Sequence, residues 1–240
     1  MRFRHINTIM NKELRGYFNS PLAYIFITVF LIVSSWFFFQ NFFLLGQTTM
    51  RAYFSLLPWI FLFLIPAITM KQWAEEEKMG TIEILLTSPI TEWEVVLGKF
   101  FASLLFLVSS LLLSLVIPVI LLFVGNPDLG VIVGGYFGTF FLGAAYLAIG
   151  LWVSSMTNNQ IIAFIFSVTL MLLFFIIGED FILHSIHSSL VPVFKYLAIG
   201  IHFKNIARGI FDSRDIIYYV ILVGFFLYLN VARLKSQRLN

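Results

Sequence analysis

The chain contains no cysteine. That excludes disulfides, thiolate metal sites and a cysteine nucleophile. Charge is nearly as scarce. Asp, Glu, Lys and Arg make up 11% of the 240 residues, where a soluble domain carries about a quarter. From Phe100 to Pro127, and again from Leu129 to Gly178, there is no charged residue. What fills the space is apolar: 60% of residues are hydrophobic, 29 are Phe, and the mean hydropathy is +0.96. A soluble core of this size cannot bury so much apolar surface, so lipid must be the solvent for much of it. The net charge of +3 and pI of about 9.2 do not indicate nucleic acid, because no basic stripe with interleaved aromatics is present. They fit a membrane protein that keeps excess Lys and Arg in its cytoplasmic loops.

Read in order, the chain predicts a single transmembrane domain over 1–240, all-α and integral to the membrane, with six spans after an N-terminal interfacial helix. Residues 1–19 are basic and amphipathic. Ile6, Ile9, Met10 and Leu14 share a helical face, with Arg2, Arg4, Lys12 and Arg15 outside it. Such a helix lies in the headgroup layer with its apolar side down; the alternative is a solvated basic tail. It is not a cleavable signal peptide, because the following apolar run is too long and no small-residue site closes it. Ser20-Pro21 reads as a helix start. The expected spans are 22–45, 52–70, 96–124, 131–153, 161–177 and 216–232, each long enough to cross or nearly so. Pro58, Pro66 and Pro118 fall inside spans and should kink or loosen them. Gly125-Asn126-Pro127-Asp128 is a turn. The last span reads as slightly short.

Six spans place both ends on one side. Taking the tails and segment 72–95 as cytoplasmic puts Arg2, Arg4, Lys12, Arg15, Lys71, Lys78, Lys99, Arg233, Lys235 and Arg238 there. Arg51, Lys195, Lys204, Arg208 and Arg214 fall on the opposite side. The excess agrees with the positive-inside rule, on which acids count for little. Residues 178–215 then fall on the extracytoplasmic side. The location expected is a cell inner membrane, crossed many times, with both termini cytoplasmic.

The fourth span carries two small-residue registers, Gly134 with Gly138, and Gly135 with Thr139 and Gly143. Small residues four apart let helix backbones approach closely, so Gly134, Gly138, Gly135 and Gly143 are read as helix-packing positions in preference to a substrate path. Glu179, Asp180, His184 and His187 could be a zinc site. No H-E-x-x-H is present, and a polar loop is the preferred reading. Asp212, Arg214 and Asp215 are expected to pair locally at the entry to the last helix. No buried charge is evident in any span. An ion-coupled transporter would usually show one, so ATP-driven movement of a lipid-like or amphipathic cargo is favoured.

The segment Gln72–Lys99 is the long polar break in the first 178 residues. It holds Glu75, Glu76, Glu77, Glu83, Glu92 and Glu94, half of the twelve acids. Trp73–Met79 extends the second span into the cytoplasm, and Gly80 breaks it. Thr81 caps a short helix, Ile82–Leu86, whose Ile82, Leu85 and Leu86 share a face while Glu83 points away. Ser88-Pro89 ends it, and Thr91-Glu92-Trp93-Glu94 is a capping box for the next helix. An apolar face outside the membrane either docks a protein partner or lies back on the bilayer or its own neighbours.

The stretch EEEKMGTIEILLTSPITEWEVVLGKF resembles the permease subunits of ABC-2 type exporters, in which a Glu-rich helix, a Gly-Thr-Ile-Glu turn, a Leu-Leu-x-x-Pro-Ile stretch and a Gly-Lys lead into the third membrane helix. HFKNIARGIFDSRDIIYY resembles the family's segment before its last span. The likeness covers nearly the whole chain and is nearest to the gliding-motility-type branch. It implies an ABC-2 or type V exporter-like transmembrane domain. Two permeases, identical or related, would pair, and each would carry a separate ATP-binding cassette subunit holding ATP and Mg²⁺. It also implies a coupling helix, with Glu75, Glu76, Lys78, Gly80, Thr81, Glu83, Leu85, Leu86 and Pro89 at the ATPase interface. The chain itself lacks G-x-x-x-x-G-K-[ST]: Gly98-Lys99 is followed by Phe100, and Trp93 stands where the first glycine is needed. No ATPase activity and no cofactor are therefore expected in it. Two alternatives remain. The same coupling could pass force to an envelope machine without moving cargo, or His184 and His187 could serve an intramembrane metalloenzyme.

Overall fold

The structure is a computed structural model describing residues 3–45, 49–82 and 89–239. Among these residues there are helices and no strand: α1 Phe3–Phe18, α2 Pro21–Leu45, α3 Arg51–Thr69, α4 Lys71–Lys78, α5 Glu92–Ser114, α6 Val116–Val124, α7 Leu129–Ser154, α8 Gln160–Ile176, α9 Asp180–Leu183, α10 Val191–Leu197, α11 Ile199–Ala207 and α12 Ser213–Leu239. Five helical runs are long and apolar enough to cross a membrane: Pro21–Gln40, Arg51–Lys78, Glu92–Val124, Leu129–Ser154 and Ser213–Arg238. The sixth, α8, is apolar and 17 residues long, about 26 Å at 1.5 Å per residue and so just short of a ~30 Å hydrocarbon core.

The helix starts follow from side-chain chemistry. Ser20 Oγ accepts from Leu22 N–H at 3.3 Å, with Pro21 as first helical residue of α2. Asp128 accepts from the Gly130 and Val131 amides ahead of α7, and Asn159 from those of Ile161 and Ile162 ahead of α8. The Glu94 carboxylate accepts from Thr91 N–H at 3.1 Å in a capping box ahead of α5. Each occupies amides that a helix N-terminus leaves unpaired.

The central element is α7. Of its most apolar window 72% is buried, against 28% for α2, and it packs on α3, α5, α8, α11 and α12. Its glycines make this possible. A Cβ on Gly134 would lie 2.4 Å from the Ile206 carbonyl oxygen and 2.8 Å from Gly209 Cα, so α11 crosses backbone to backbone there. A Cβ on Gly135 would enter the Phe54 ring, one on Gly143 would meet Leu107, and one on Gly138 would touch Ile206 and Phe203. At Gly150 it would meet Thr69 Oγ1 at 2.2 Å, which brings α3 against α7 at the end of the span.

Two readings from the sequence need correction. The apolar face of α1 is covered by protein and does not simply face lipid. Ile9 is buried, Met10 and Leu14 pack on the core, and a Cβ on Gly98 of α5 would meet Ile9 at 2.7 Å. The third span is one apolar run, Glu92–Val124, as read; its ladder is interrupted between α5 and α6, because Pro118 has no N–H to give the Ser114 carbonyl, and the Tyr136 hydroxyl of α7 donates to that carbonyl instead, at 3.1 Å. The last helix, read as short, is 27 residues long. Its charged end stays helical through contacts with α4 and α5 described below.

Candidate functional site

Lys99, in the second turn of α5, is 1% exposed. Its ammonium donates to Glu76 Oε1 of α4 at 2.8 Å, to the Gln72 carbonyl at 3.0 Å and to Glu13 Oε1 of α1 at 3.1 Å. It also lies 4.8 Å from the centre of the Trp73 ring. All three ammonium hydrogens are thus engaged, with an aromatic face beside them. Such a desolvated charge is tolerable only with this density of partners. The sequence reading found no buried charge in a span; Lys99 is one, at the boundary where apolar residues begin.

One turn further along α5, Ser103 Oγ lies 3.1 Å from the Tyr17 hydroxyl and accepts from Gln72 Nε2 at 2.8 Å; Gln72 Nε2 also donates to Tyr17. Burial pushes the Tyr17 phenol up, which keeps it neutral and able to donate. Polar residues of α1, α4 and α5 thereby line an open cavity of about 230 Å³, Lys12, Glu13, Lys71, Gln72, Glu75 and Glu76 among them.

The third contact explains why α3 and α4 are separate helices. Ser154, at the end of α7, donates its hydroxyl to the Met70 carbonyl at 2.9 Å and accepts from the amides of Trp73 at 3.1 Å and Ala74 at 3.3 Å. In an unbroken helix the Ala74 amide would bond Met70 directly. A hydroxyl from a neighbouring helix is inserted into the ladder, and such insertion is an established cause of a kink. The carboxyl-terminal end of α12 adds the fourth anchor. Gln237 Nε2 donates to Glu77 Oε1 at 3.1 Å, and Arg238 pairs with Glu92 of α5 at 2.9 Å. Around the same end His5 meets Glu94 at 3.2 Å. The short helix α4 is therefore bonded by side chains to α1, α5, α7 and α12.

Of the residues assigned to the coupling interface, Glu75 and Glu76 face this cavity, Glu76 through its bond to Lys99. Lys78, Gly80, Thr81 and Pro89 are exposed. Gly80 ends α4 with φ +69°, a conformation natural to glycine. Thr81 Oγ1 donates to the Glu76 carbonyl at 3.2 Å, so it closes the end of α4. Glu83, Leu85 and Leu86 lie outside the described residues. Gly134, Gly135, Gly138 and Gly143 lie along α7 away from this collar, at the contacts given above.

At the opposite end, His184 Nδ1 is 2.6 Å from the Asp180 carbonyl, His187 Nδ1 is 2.9 Å from Ser189 Oγ, and Glu179 pairs with Lys204 at 2.8 Å. Among the described residues no three His, Asp or Glu side chains converge as metal ligands. Asp215 does not pair locally with Arg214. It meets His202 of α11 at 2.5 Å, while Asp212 accepts from the Arg214 amide. Sequence reasoning missed Lys99, Tyr17, Gln72, Ser154 and His202. A signal existed only for Lys99, the last charge before an uncharged run of 28 residues.

The sequence profile of the ABC-2 family transporter proteins matches residues 8–229, from within α1 to within α12. The chain belongs to that family. It is a multi-pass membrane protein and the permease subunit of an ABC transporter. No curated protein matches the chain.

Proposed function

We propose that this ABC-2 permease exports its cargo by converting the movement of a separate ATP-binding cassette subunit into rearrangement of its own helices. The segment following α4, with Gly80 and Thr81 at its start, docks in that ATPase, which holds ATP and Mg²⁺. Two permease chains pair around the path. The loop, α1 and the end of α12 face the cytoplasm, and the protein sits in the inner membrane among lipids. One observation carries this reading: α4 is hydrogen-bonded to four other helices, so a displacement of the loop reaches the bundle without passing through a flexible linker. Proteins with two-state elements of this kind respond to a partner by the difference in its affinity for the two states.

The test replaces Gly80 by Pro. Its φ of +69° is incompatible with the proline ring, which holds φ near −65°. In proteoliposomes with the cognate ATPase, the variant is expected to insert and to let ATP be hydrolysed, while nucleotide-dependent movement of labelled lipid or glycan across the bilayer falls at least ~10-fold, about 1.4 kcal/mol of coupling. Unchanged coupled transport in the variant, or recovery of no ATPase with the wild-type chain, overturns the proposal.

A further inference from the structure

His202 and Asp215 form a buried pair at the end of the molecule opposite α1. His202 is 7% exposed and Asp215 4%. Imidazole Nδ1 lies 2.5 Å from Asp215 Oδ1, and Nε2 lies 2.9 Å from the carbonyl oxygen of Tyr196. A carbonyl only accepts, so Nε2 carries a hydrogen. A carboxylate also only accepts, so the short Nδ1 contact needs a second hydrogen. A neutral ring beside a carboxylate has one hydrogen for two acceptors. The arrangement therefore holds one proton more than that, shared within the pair.

Two features place this proton on the ring. Asp215 stands in the first turn of α12, where the helix dipole favours the carboxylate over the neutral acid. The Tyr218 ring stacks on the imidazole with centroids 3.9 Å apart, an arrangement that favours a cation. We propose that His202 and Asp215 are a proton-binding site, an imidazolium–carboxylate pair that latches α10 and α11 onto the last membrane helix. The same two elements are tied to α12 nearby by Tyr218 O–H to the Leu197 carbonyl at 2.7 Å and Tyr219 O–H to the Ile199 carbonyl at 3.0 Å.

Among the described residues no other charged side chain forms an ion pair with either member. From α12 the titratable neighbours are Arg214, Tyr218 and Tyr219, from α10 Lys195 and Tyr196, and from α7 Tyr146; Arg214 and Lys195 are exposed. No titratable residue occurs in α8, and Tyr53 of α3 belongs to the group with Tyr136 and Ser114. Lys204, on α11 itself, is engaged by Glu179. When the proton leaves Nδ1, two lone pairs face each other at hydrogen-bond distance and the Asp215 carboxylate is left buried, with its Oδ2 unpartnered among the described residues. The latch therefore depends on that one proton. It does not depend on the ATPase coupling proposed above.

The experiment uses the full chain in lipid nanodiscs, labelled with ¹⁵N-histidine. Of the four histidines, the resonance removed by His202→Gln is expected to show two protonated ring nitrogens at about pH 7. In Asp215→Asn that resonance is expected to become a neutral ring. In the wild type, raising the pH until the imidazolium signal is lost should speed amide exchange across residues 191–207 at least ~10-fold beyond the intrinsic pH effect, with residues 129–154 unaffected. An unprotonated Nδ1 in the wild type at about pH 7 overturns the proposal. So does an imidazolium that persists in Asp215→Asn, or exchange that is indifferent to loss of the proton; exchange across residues 191–207 followed against pH in the wild type decides the matter even where the variants fail to fold.

Discussion

Lys99 takes a full charge into a site from which water is almost excluded. Its three hydrogens reach two carboxylates and one carbonyl, and those carboxylates come from residues 86 and 23 positions away in the chain. Replacing it by Met keeps the length of the side chain and removes the charge. Glu76 would then lose its cation, and Glu13 would keep only Lys12, at 3.7 Å. The expected loss is about 3–5 kcal/mol, the usual cost of breaking a buried pair, read as a fall in thermal unfolding temperature in detergent. Adding Glu13→Gln and Glu76→Gln should recover much of it, because the unpaired charges are gone. Arg238→Ala, which removes a half-exposed partner of Glu92, should cost no more than about 1 kcal/mol. In the linear pattern Lys99 reads as an ordinary loop charge, since nothing local tells that α1 and α4 will close over it.

At the scale of elements, Ser154 decides where α3 ends. The capping box at Thr91–Glu94 and the Ser20-Pro21 start were legible because both partners lie within a few residues of each other. The α3–α4 break was not, because its cause arrives from α7, 81 residues beyond Trp73. Ser154→Ala removes the inserted hydroxyl. The amides of Trp73 and Ala74 must then return to the helical ladder or go unpaired. The variant should lose about 1–2 kcal/mol, and amide exchange at those two residues should change while that of α7 residues before Gly150 stays the same. A fused, straighter α3–α4 should also transmit loop movement differently, so coupled transport should alter even where insertion is normal. The α5–α6 division has the same character. Pro118 announced a disturbance, but only Tyr136 shows how the freed carbonyl of Ser114 is satisfied.

For the whole molecule, α7 is the post on which the other helices hang, and its glycines set their distance. Gly134→Ala would drive a Cβ into the backbone of Ile206 and Gly209, atoms that cannot rotate away. It should cost about 1–3 kcal/mol, the usual range for overpacking. Gly16→Ala is the control. It sits in α1 with nothing within 4 Å of the added carbon, and should gain about 0.5–1 kcal/mol from helix propensity. Thermal unfolding of the two variants side by side checks both signs. The sequence alone determined that this is a helical membrane protein with polar segments at set places, because span length and the absence of charge are local properties imposed by the bilayer. It also placed the small residues of α7, since periodicity is visible without a partner. Only the tertiary structure decided which polar groups meet: Lys99 with Glu13 and Glu76, Ser154 with the α3–α4 junction, His202 with Asp215. Those pairings join residues distant in the chain, and a charge or hydroxyl carries no mark of its partner until burial removes water as the competitor.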